Sequence, residues 1–456
     1  MGVDGIMDIL PLVILLTPIL FSLSYFVRRF RLLHLLSASI TVVSALLLNI
    51  YSVSEASFFL IDSLNRIIVL TVATVYLLSV TFGLGYHSRM GESRNLKFHM
   101  SLIDLFASSM LFSLMVNDFG LLWIGVEATT VSSALLLVIE MQPLDVEAAW
   151  RYVIIVSAGL TIGLISVIML YYVYGSLTIS TLLAIRHAST IPLEIAAATA
   201  LIGYGTKIGL VPMHTWLPDA HSRAPSEVSA MFSGVLLPVA VYAVFRVYQV
   251  TFSSKMEYLF LIFALATVVI SAFILASQRD LKRMFAYSTM ENMGMMVTGF
   301  IIGGAGFAGA LVLLVSHAFG KAGAFYSSGN ILESYQTREM SRIGNLKENM
   351  PYTTVSLLFS SLSVTGSPPF GTFIGEFLII LSLYMAGLYV LAVIIAISLV
   401  IAFASVNFKV AGMIFTPSDE KRSEAGISQR AVAIAAVVLS AAVTIIFFIT
   451  GGYHIG

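Results

Sequence analysis

The sequence predicts an all-α polytopic membrane protein of about fourteen transmembrane helices, built from two inverted five-helix repeats (spans four to eight and nine to thirteen) with breaks in spans seven and twelve. Three observations predict it. Hydrophobic residues make up 58% of the chain and charged residues only 11%, where a soluble domain carries about 25% charged, so water cannot be the main solvent of most of its surface. Apolar runs of about 20 residues, the length that crosses a bilayer, recur between short polar breaks. Prolines interrupt two of those runs beside ionisable residues, a pattern tolerated at membrane depth where the freed backbone lines a cavity.

The first span begins in MGVDGIMDILPLVILLTPIL. This stretch has acids and no basic segment ahead of its apolar run, so it reads as a span and not a cleaved signal, and its Met-Gly start lacks the rest of a lipidation motif. Apolar runs against charged breaks place the spans near 6–27, 32–54, 63–86, 99–117, 119–141, 151–174, 190–211, 228–250, 258–277, 282–303, 306–331, 352–382, 385–410 and 430–450. The chain is then one membrane domain over 1–456: spans one to three in 1–98, a first repeat in 99–250, a second in 258–410 and a last span in 430–450. Basic residues check this placement. Eighteen, from Arg28 to Arg430, fall in odd-numbered loops, against only Arg66, Arg186, Arg246 and Lys255 in even-numbered ones. A missed span in the middle would scramble that asymmetry, which predicts both termini outside.

Two basic residues belong to no loop: Lys207 and Lys321 lie inside spans. A lysine at the bilayer centre costs roughly 2.5–3.5 kcal/mol on insertion scales, so each needs a reason. Snorkelling to an interface is the plainer reading and an ion pathway the sharper one. Glu127 in LLWIGVEATTVSSALLL and Glu376 in PPFGTFIGEFLIILSL also lie well inside apolar spans, and Glu140 lies near a span end. Glu291 and Asp104 read as shallower, with capping or pairing roles. His317 and Lys321, four apart, share one helical face. Burial disfavours charge and an opposite charge restores it, so a Glu127–Lys207 pair of variable separation would act as a proton-affinity switch; a static packing pair is the plainer reading. Pro212 breaks the seventh span just after Lys207, and Pro368 and Pro369 break the twelfth shortly before Glu376.

The chain has zero net charge and no cysteine. It therefore lacks a nucleic-acid footprint and has no thiolate to hold an iron–sulfur cluster. Its eight histidines are scattered without spacing that demands metal or haem, so no metal site and no cofactor in this chain are expected. The Gly303, Gly304 and Gly306 cluster lies between spans, where a tight turn or close packing is the simpler account than a nucleotide loop.

KIGLVPMHTWLPDAHSRAPSEVSA, followed in order by DLKRMFAYSTMENMG, SHAFGKAGAFYSSGNI and VTGSPPFGTFIGEFLI, resembles the antiporter-like membrane subunits of respiratory complex I, of multisubunit cation/proton antiporters and of energy-converting membrane hydrogenases. The resemblance covers most of the chain, from about the fourth span to the thirteenth. VEATT, YSTMEN and SPPFGTFIGEFLI are most similar to the hydrogenase-type branch, that of formate hydrogenlyase and hydrogenase-4 component F. The resemblance implies that Glu127 pairs with Lys207, that His317 and Lys321 continue a hydrated axis, and that Glu376 releases protons outward. His214, His221, Glu140 and Glu291 would support them. It also implies partners, namely other membrane subunits and hydrophilic redox subunits carrying iron–sulfur clusters, with membrane lipid around the chain and protons, or sodium, as the cargo.

Two departures stand out. Family members often carry a bridging lysine in the eighth span, where FSGVLLPVAVYAVFR has Pro238, so water or His317 must fill the gap. The sequence stops at Gly456, after the last span, without the long lateral helix of the largest family type. Proton translocation in the plasma membrane, driven by redox chemistry in partner subunits, is the leading expectation. A sodium/proton antiporter subunit is the second, since the same carboxylates could ligate a hard cation, and a stand-alone solute carrier is the third.

Overall fold

The structure, a computed structural model, describes residues 9–26, 29–51, 58–87, 94–139, 143–185, 189–418 and 420–449. Glu140, expected to support the site, lies outside the described residues, as do Arg28, Arg89 and Arg186 of the charge count. The main helices are α1 Leu10–Ser22, α2 Phe30–Ile50, α3 Ser63–Tyr86, α4 Arg94–Met115, α5 Phe119–Leu137, α6 Pro143–Tyr174 and α7 Ile191–Ile208. They continue as α8 Ser226–Thr251, α9 Ser254–Ser277, α10 Leu281–Ile302, α11 Ala305–Tyr335, α12 Pro351–Val364, α13 Gly371–Met385, α14 Tyr389–Phe415 and α15 Ile427–Ile449.

Among the described residues ten helices are long and apolar enough to cross a membrane, and Leu10–Tyr25 and Gly371–Met385 are shorter apolar helices. The protein is a nearly all-helical multi-pass membrane protein. α7 and α10 fall outside those ten: both run through the expected spans, and both carry the polar residues of the candidate site. The expected span 352–382 is occupied by two helices, α12 and α13, with residues 365–370 between them.

Short polar side chains start several of these helices by satisfying amides that have no partner within the helix. Asp62 caps α3 in a reciprocal box with Asn65, Asp118 accepts from the amides of Gly120 and Leu121 at the start of α5, and Asp280 accepts from Arg283 at the start of α10.

The chain forms two compact units, Met1–Lys207 with Val235–Met256, and Ile208–Gly234 with Glu257–Gly456. In the first, α2 packs on α1 and α3, and α5 packs on α4 and α6. Small residues bring α7 onto α6: a Cβ built on Gly203 would lie 2.4 Å from the Gly163 Cα, and one on Gly159 would meet Thr206 at 2.6 Å. Backbones touch there because no side chain intervenes, as in close helix pairs within lipid.

Two residues of this unit correct the sequence reading. Asp104, expected to be shallow, is fully buried and held by His34 Nδ1 at 2.7 Å and the Tyr76 hydroxyl at 2.5 Å. Arg246, counted as a loop residue, lies inside α8, 2% exposed, and forms an ion pair with Asp62. A charge that hydropathy assigns to a loop can be drawn inside when a carboxylate waits there.

In the second unit α11 is the inner helix, packed by α10, α12, α13 and α15. Its glycines admit neighbours: Gly309 meets the Gly375 carbonyl of α13, and Gly320 and Gly323 meet Ser363 and Ser360 of α12. α14 turns outward, with only 28% of its most apolar window buried, and it bears exposed Val390, Val393, Ile397 and Val400, as a lipid-facing helix should. Gly303 and Gly304 make the turn between α10 and α11 at φ 70° and 54°, while Gly306 packs against Gly299 and Ser382.

Candidate functional site

The first unit holds Lys207 on the last turn of α7, fully buried. Its ammonium donates to Thr130 Oγ1 at 2.9 Å and to the Tyr152 hydroxyl at 2.6 Å. That hydroxyl also meets Ser133 Oγ, 2.8 Å away, and Ser133 donates to the Thr129 carbonyl. Glu127, Thr130 and Ser133 recur every three residues on α5, so one face of that helix is polar inside an apolar run. The Glu127 carboxylate accepts from Ser157 Oγ of α6 at 2.6 Å, and its other oxygen is buried without a partner among the described residues. Lys207 and Glu127 thus share the same two neighbouring helices, and hydroxyl groups occupy their hydrogen bonds.

Directly after Lys207 the helix stops. Gly209 adopts φ 81° and sits so tightly on Leu217 that a Cβ would clash at 2.5 Å, a conformation glycine takes without strain. Pro212 has no N–H to continue the ladder. The chain resumes as a short helix, Trp216–Arg223.

The second unit contains that short helix and its histidines. His221 is fully buried and stacks on Phe325 at 5.2 Å, with neither ring nitrogen hydrogen-bonded among the described residues. His214 is half-buried in the break. Arg283 and Lys282 tie the short helix to the start of α10, through Asp219 at 2.5 Å and the Ala224 carbonyl at 2.8 Å.

Lys321 on α11 is fully buried and donates to the Phe285 carbonyl at 2.9 Å and Ser288 Oγ at 2.7 Å, both on α10. The Phe285 carbonyl also accepts from Thr289 Oγ1, which lies 2.6 Å from Ser233 Oγ. One turn before Lys321, His317 Nε2 reaches the Ser233 carbonyl at 3.3 Å. A carbonyl only accepts, so Nε2 carries the proton and Nδ1 holds the lone pair; Nδ1 is buried and unpaired among the described residues.

That carbonyl is available because of Pro238. Residues Phe232–Leu236 form a π turn, in which each carbonyl looks five residues ahead, and five residues beyond Ser233 stands a proline without an N–H. The departure noted in the sequence therefore supplies the acceptor for His317.

The break between α12 and α13 mirrors the first. Gly366 adopts φ 66°, and its missing side chain makes room for Glu376: a Cβ there would lie 1.9 Å from Glu376 Oε2. Pro368 and Pro369 follow, both exposed. Glu376 is 6% exposed and its Oε1 has no partner among the described residues. A cavity of about 260 Å³ reaches it between α13 and α14, lined by Thr365, Gly366, Phe377, Val400 and Phe403. Glu291, expected to be shallow, is 1% exposed on α10.

The arrangement can hold and pass protons. Each unit buries a lysine amine amid oxygen acceptors and sets carboxylates on adjoining helices. A family model described as NADH:quinone oxidoreductase/Mrp antiporter, transmembrane, matches residues 116–402.

The chain belongs to this family. The matched segment contains Glu127, Lys207, His317, Lys321 and Glu376. Among its relatives, the hydrogenase-4 component F homolog of Methylacidiphilum infernorum is 32% identical over 405 residues, covering 84% of each chain. Hydrogenase-4 component B of Escherichia coli is 28% identical over 335 residues, 69% of this chain and 49% of that longer protein. The hydrogenase-type likeness read from VEATT and YSTMEN agrees with both. In fold, the chain matches one in the Mrp complex of Dietzia sp. with a TM-score of 0.88 at 18% identity, covering 98% of this chain and 96% of that one. A chain of the archaeal membrane-bound sulfane sulfur reductase matches with 0.85 at 22% identity, over 95% and 75%, and one of Thermus thermophilus complex I with 0.83 at 20%, over 96% and 97%.

Sequence reasoning singled out the charged members of both sets and passed over the hydroxyl-bearing residues around them: Thr130, Tyr152 and Ser288, which receive the lysines, and Ser133, Ser233 and Thr289 beside them. The signal was present as small polar residues recurring at helical spacing inside apolar runs, which hydropathy averages away.

Proposed function

We propose that this chain is the proton-translocating, antiporter-like subunit of a membrane-bound redox complex of the hydrogenase or NADH:quinone oxidoreductase type. One observation carries the reading: each unit encloses a lysine completely and, among the described residues, its ammonium meets hydroxyl and carbonyl acceptors, with glutamates on the helices alongside. An ammonium so placed donates to neutral dipoles and not to a carboxylate, and the neutral amine keeps two N–H groups for the same two oxygens, so loss and gain of a proton need no change of partners. Lys207 exchanges its proton with the cytoplasmic side under the influence of Glu127. His317 and Lys321 take it on, and Glu376 gives it up outside, beside the cavity between α13 and α14.

In this reading about fourteen spans cross the plasma membrane in two inverted repeats with both termini outside. Other membrane subunits flank the chain, and iron–sulfur subunits supply the driving reaction. The names of the hydrogenase-4 relatives support that partnership.

The purified complex containing this chain, reconstituted in liposomes with an internal pH dye, tests the proposal. A potassium–valinomycin potential should drive proton flux that Lys207→Ala and Glu376→Gln each lower at least tenfold while the complex still assembles. Wild-type flux in both variants refutes it. Flux that requires sodium in the buffer would make the cargo sodium in exchange for protons.

A further inference from the structure

Glu291 stands on α10, the helix whose Phe285 carbonyl and Ser288 hydroxyl receive Lys321. Asn292, its neighbour on α10, brings the two N–H groups of Nδ2 within hydrogen-bond distance of three oxygens: Glu291 Oε2 at 3.1 Å, the Ser288 carbonyl at 2.9 Å and the Val364 carbonyl at 3.1 Å. Ser288 is the residue whose hydroxyl receives Lys321 at 2.7 Å. Val364 is the last residue of α12, two before Gly366, whose bare Cα accommodates the Glu376 carboxylate. One amide therefore joins the Lys321 end, the Glu291 carboxylate and the strand that seats Glu376. A 1% exposed carboxylate with a single neutral donor among the described residues is an expensive way to pin a helix; leucine would pack there at no electrostatic cost.

Resting on the proton-translocation reading, we propose that Glu291 is a proton-carrying station between Lys321 and Glu376, held in place by the amide of Asn292 across the α12–α13 break. The step moves one proton and no electrons. Carried by water between the groups, the proton of the Lys321 ammonium reaches the Glu291 carboxylate, leaving a neutral amine and a carboxylic acid. The acid then passes it by the same means to the Glu376 carboxylate and regains its charge, so the total charge is unchanged throughout.

The same liposome assay decides it. Glu291→Gln keeps a carbonyl oxygen for Asn292 and removes only the titration, so potential-driven proton flux should fall at least tenfold in a complex that assembles normally. Wild-type flux in Glu291→Gln overturns the proposal. If Lys207→Ala and Glu376→Gln abolish flux while Glu291→Gln does not, this inference alone fails; if all three pump normally, the function itself is misread. A measurement on the unmodified complex covers the case in which the glutamine variant does not assemble. An apolar carbodiimide, which reacts with protonated carboxyl groups in apolar surroundings, should leave an N-acylurea adduct on Glu291 as well as on Glu376, read by peptide mass spectrometry. An adduct on Glu376 with none on Glu291 overturns the proposal.

Discussion

The Lys207 ammonium donates to the Tyr152 hydroxyl across 2.6 Å and lies 5.0 Å from the centre of that ring. The lysine therefore meets the tyrosine beyond the ring edge, at its oxygen, and the hydroxyl is the contact that holds it. It also turns a buried lysine toward α5, where Thr130 and Ser133 complete the set.

Tyr152→Phe keeps the ring and removes the oxygen. Among the described residues the lysine then keeps Thr130 as its acceptor, and Ser133 loses the tyrosine oxygen. Loss of a buried hydrogen bond to a charged group costs about 1.5–3 kcal/mol, so the midpoint of thermal unfolding should drop by a few degrees. Proton flux should fall severalfold, and flux equal to wild type would show that this hydroxyl is dispensable.

Pro238→Ala restores an N–H five residues after Ser233. The new donor competes for the Ser233 carbonyl, the acceptor of His317 Nε2. The variant should be at least as stable as wild type, since a helix gains a hydrogen bond, yet conduct protons more slowly. His317→Ala should slow flux to the same extent, and the double variant should add nothing further. Additive losses in the double variant would separate the two residues.

Gly366→Ala meets two obstacles. The left-handed conformation at φ 66° costs a non-glycine residue about 1–3 kcal/mol, and the new methyl group would overlap the Glu376 carboxylate. Gly303→Ala carries the first burden alone, since a Cβ at Gly303 has nothing within 4 Å. Both variants should lose stability in thermal unfolding, but only Gly366→Ala should lose proton flux. Equal flux in the two would mean that the seat of Glu376 does not matter.

Arg246→Leu strands Asp62, which also caps α3. With Asp62 about a third exposed, solvent softens the loss to about 1–3 kcal/mol, below that of a fully buried pair. Asp62→Asn in the same chain should recover part of it, because the amide oxygen still caps the helix. The unfolding midpoint of single and double variants measures this, and no recovery would assign Arg246 to packing alone.

Much of the fold and the charged part of the site were legible in the sequence, for reasons that differ by residue. A lysine inside an apolar run, as at Lys207 and Lys321, is conspicuous because lipid gives it no solvent. Pro212 and the Pro368–Pro369 pair mark breaks because proline ends a helical ladder wherever it falls. Asp104, Arg246 and Glu291 were misjudged because local hydropathy cannot say whether a charge near a run's end finds a partner inside or water outside.

Composition, run length and proline placement by themselves determined that the chain is a helical membrane protein with two interrupted helices beside titratable groups, since those properties depend on covalent order and on the absence of water. Only tertiary structure decided which oxygens receive each lysine, that Pro238 frees a carbonyl for His317, and that Gly366 seats Glu376. Those outcomes depend on which helix faces approach one another, and bare glycine and serine surfaces permit many approaches until the whole bundle has packed.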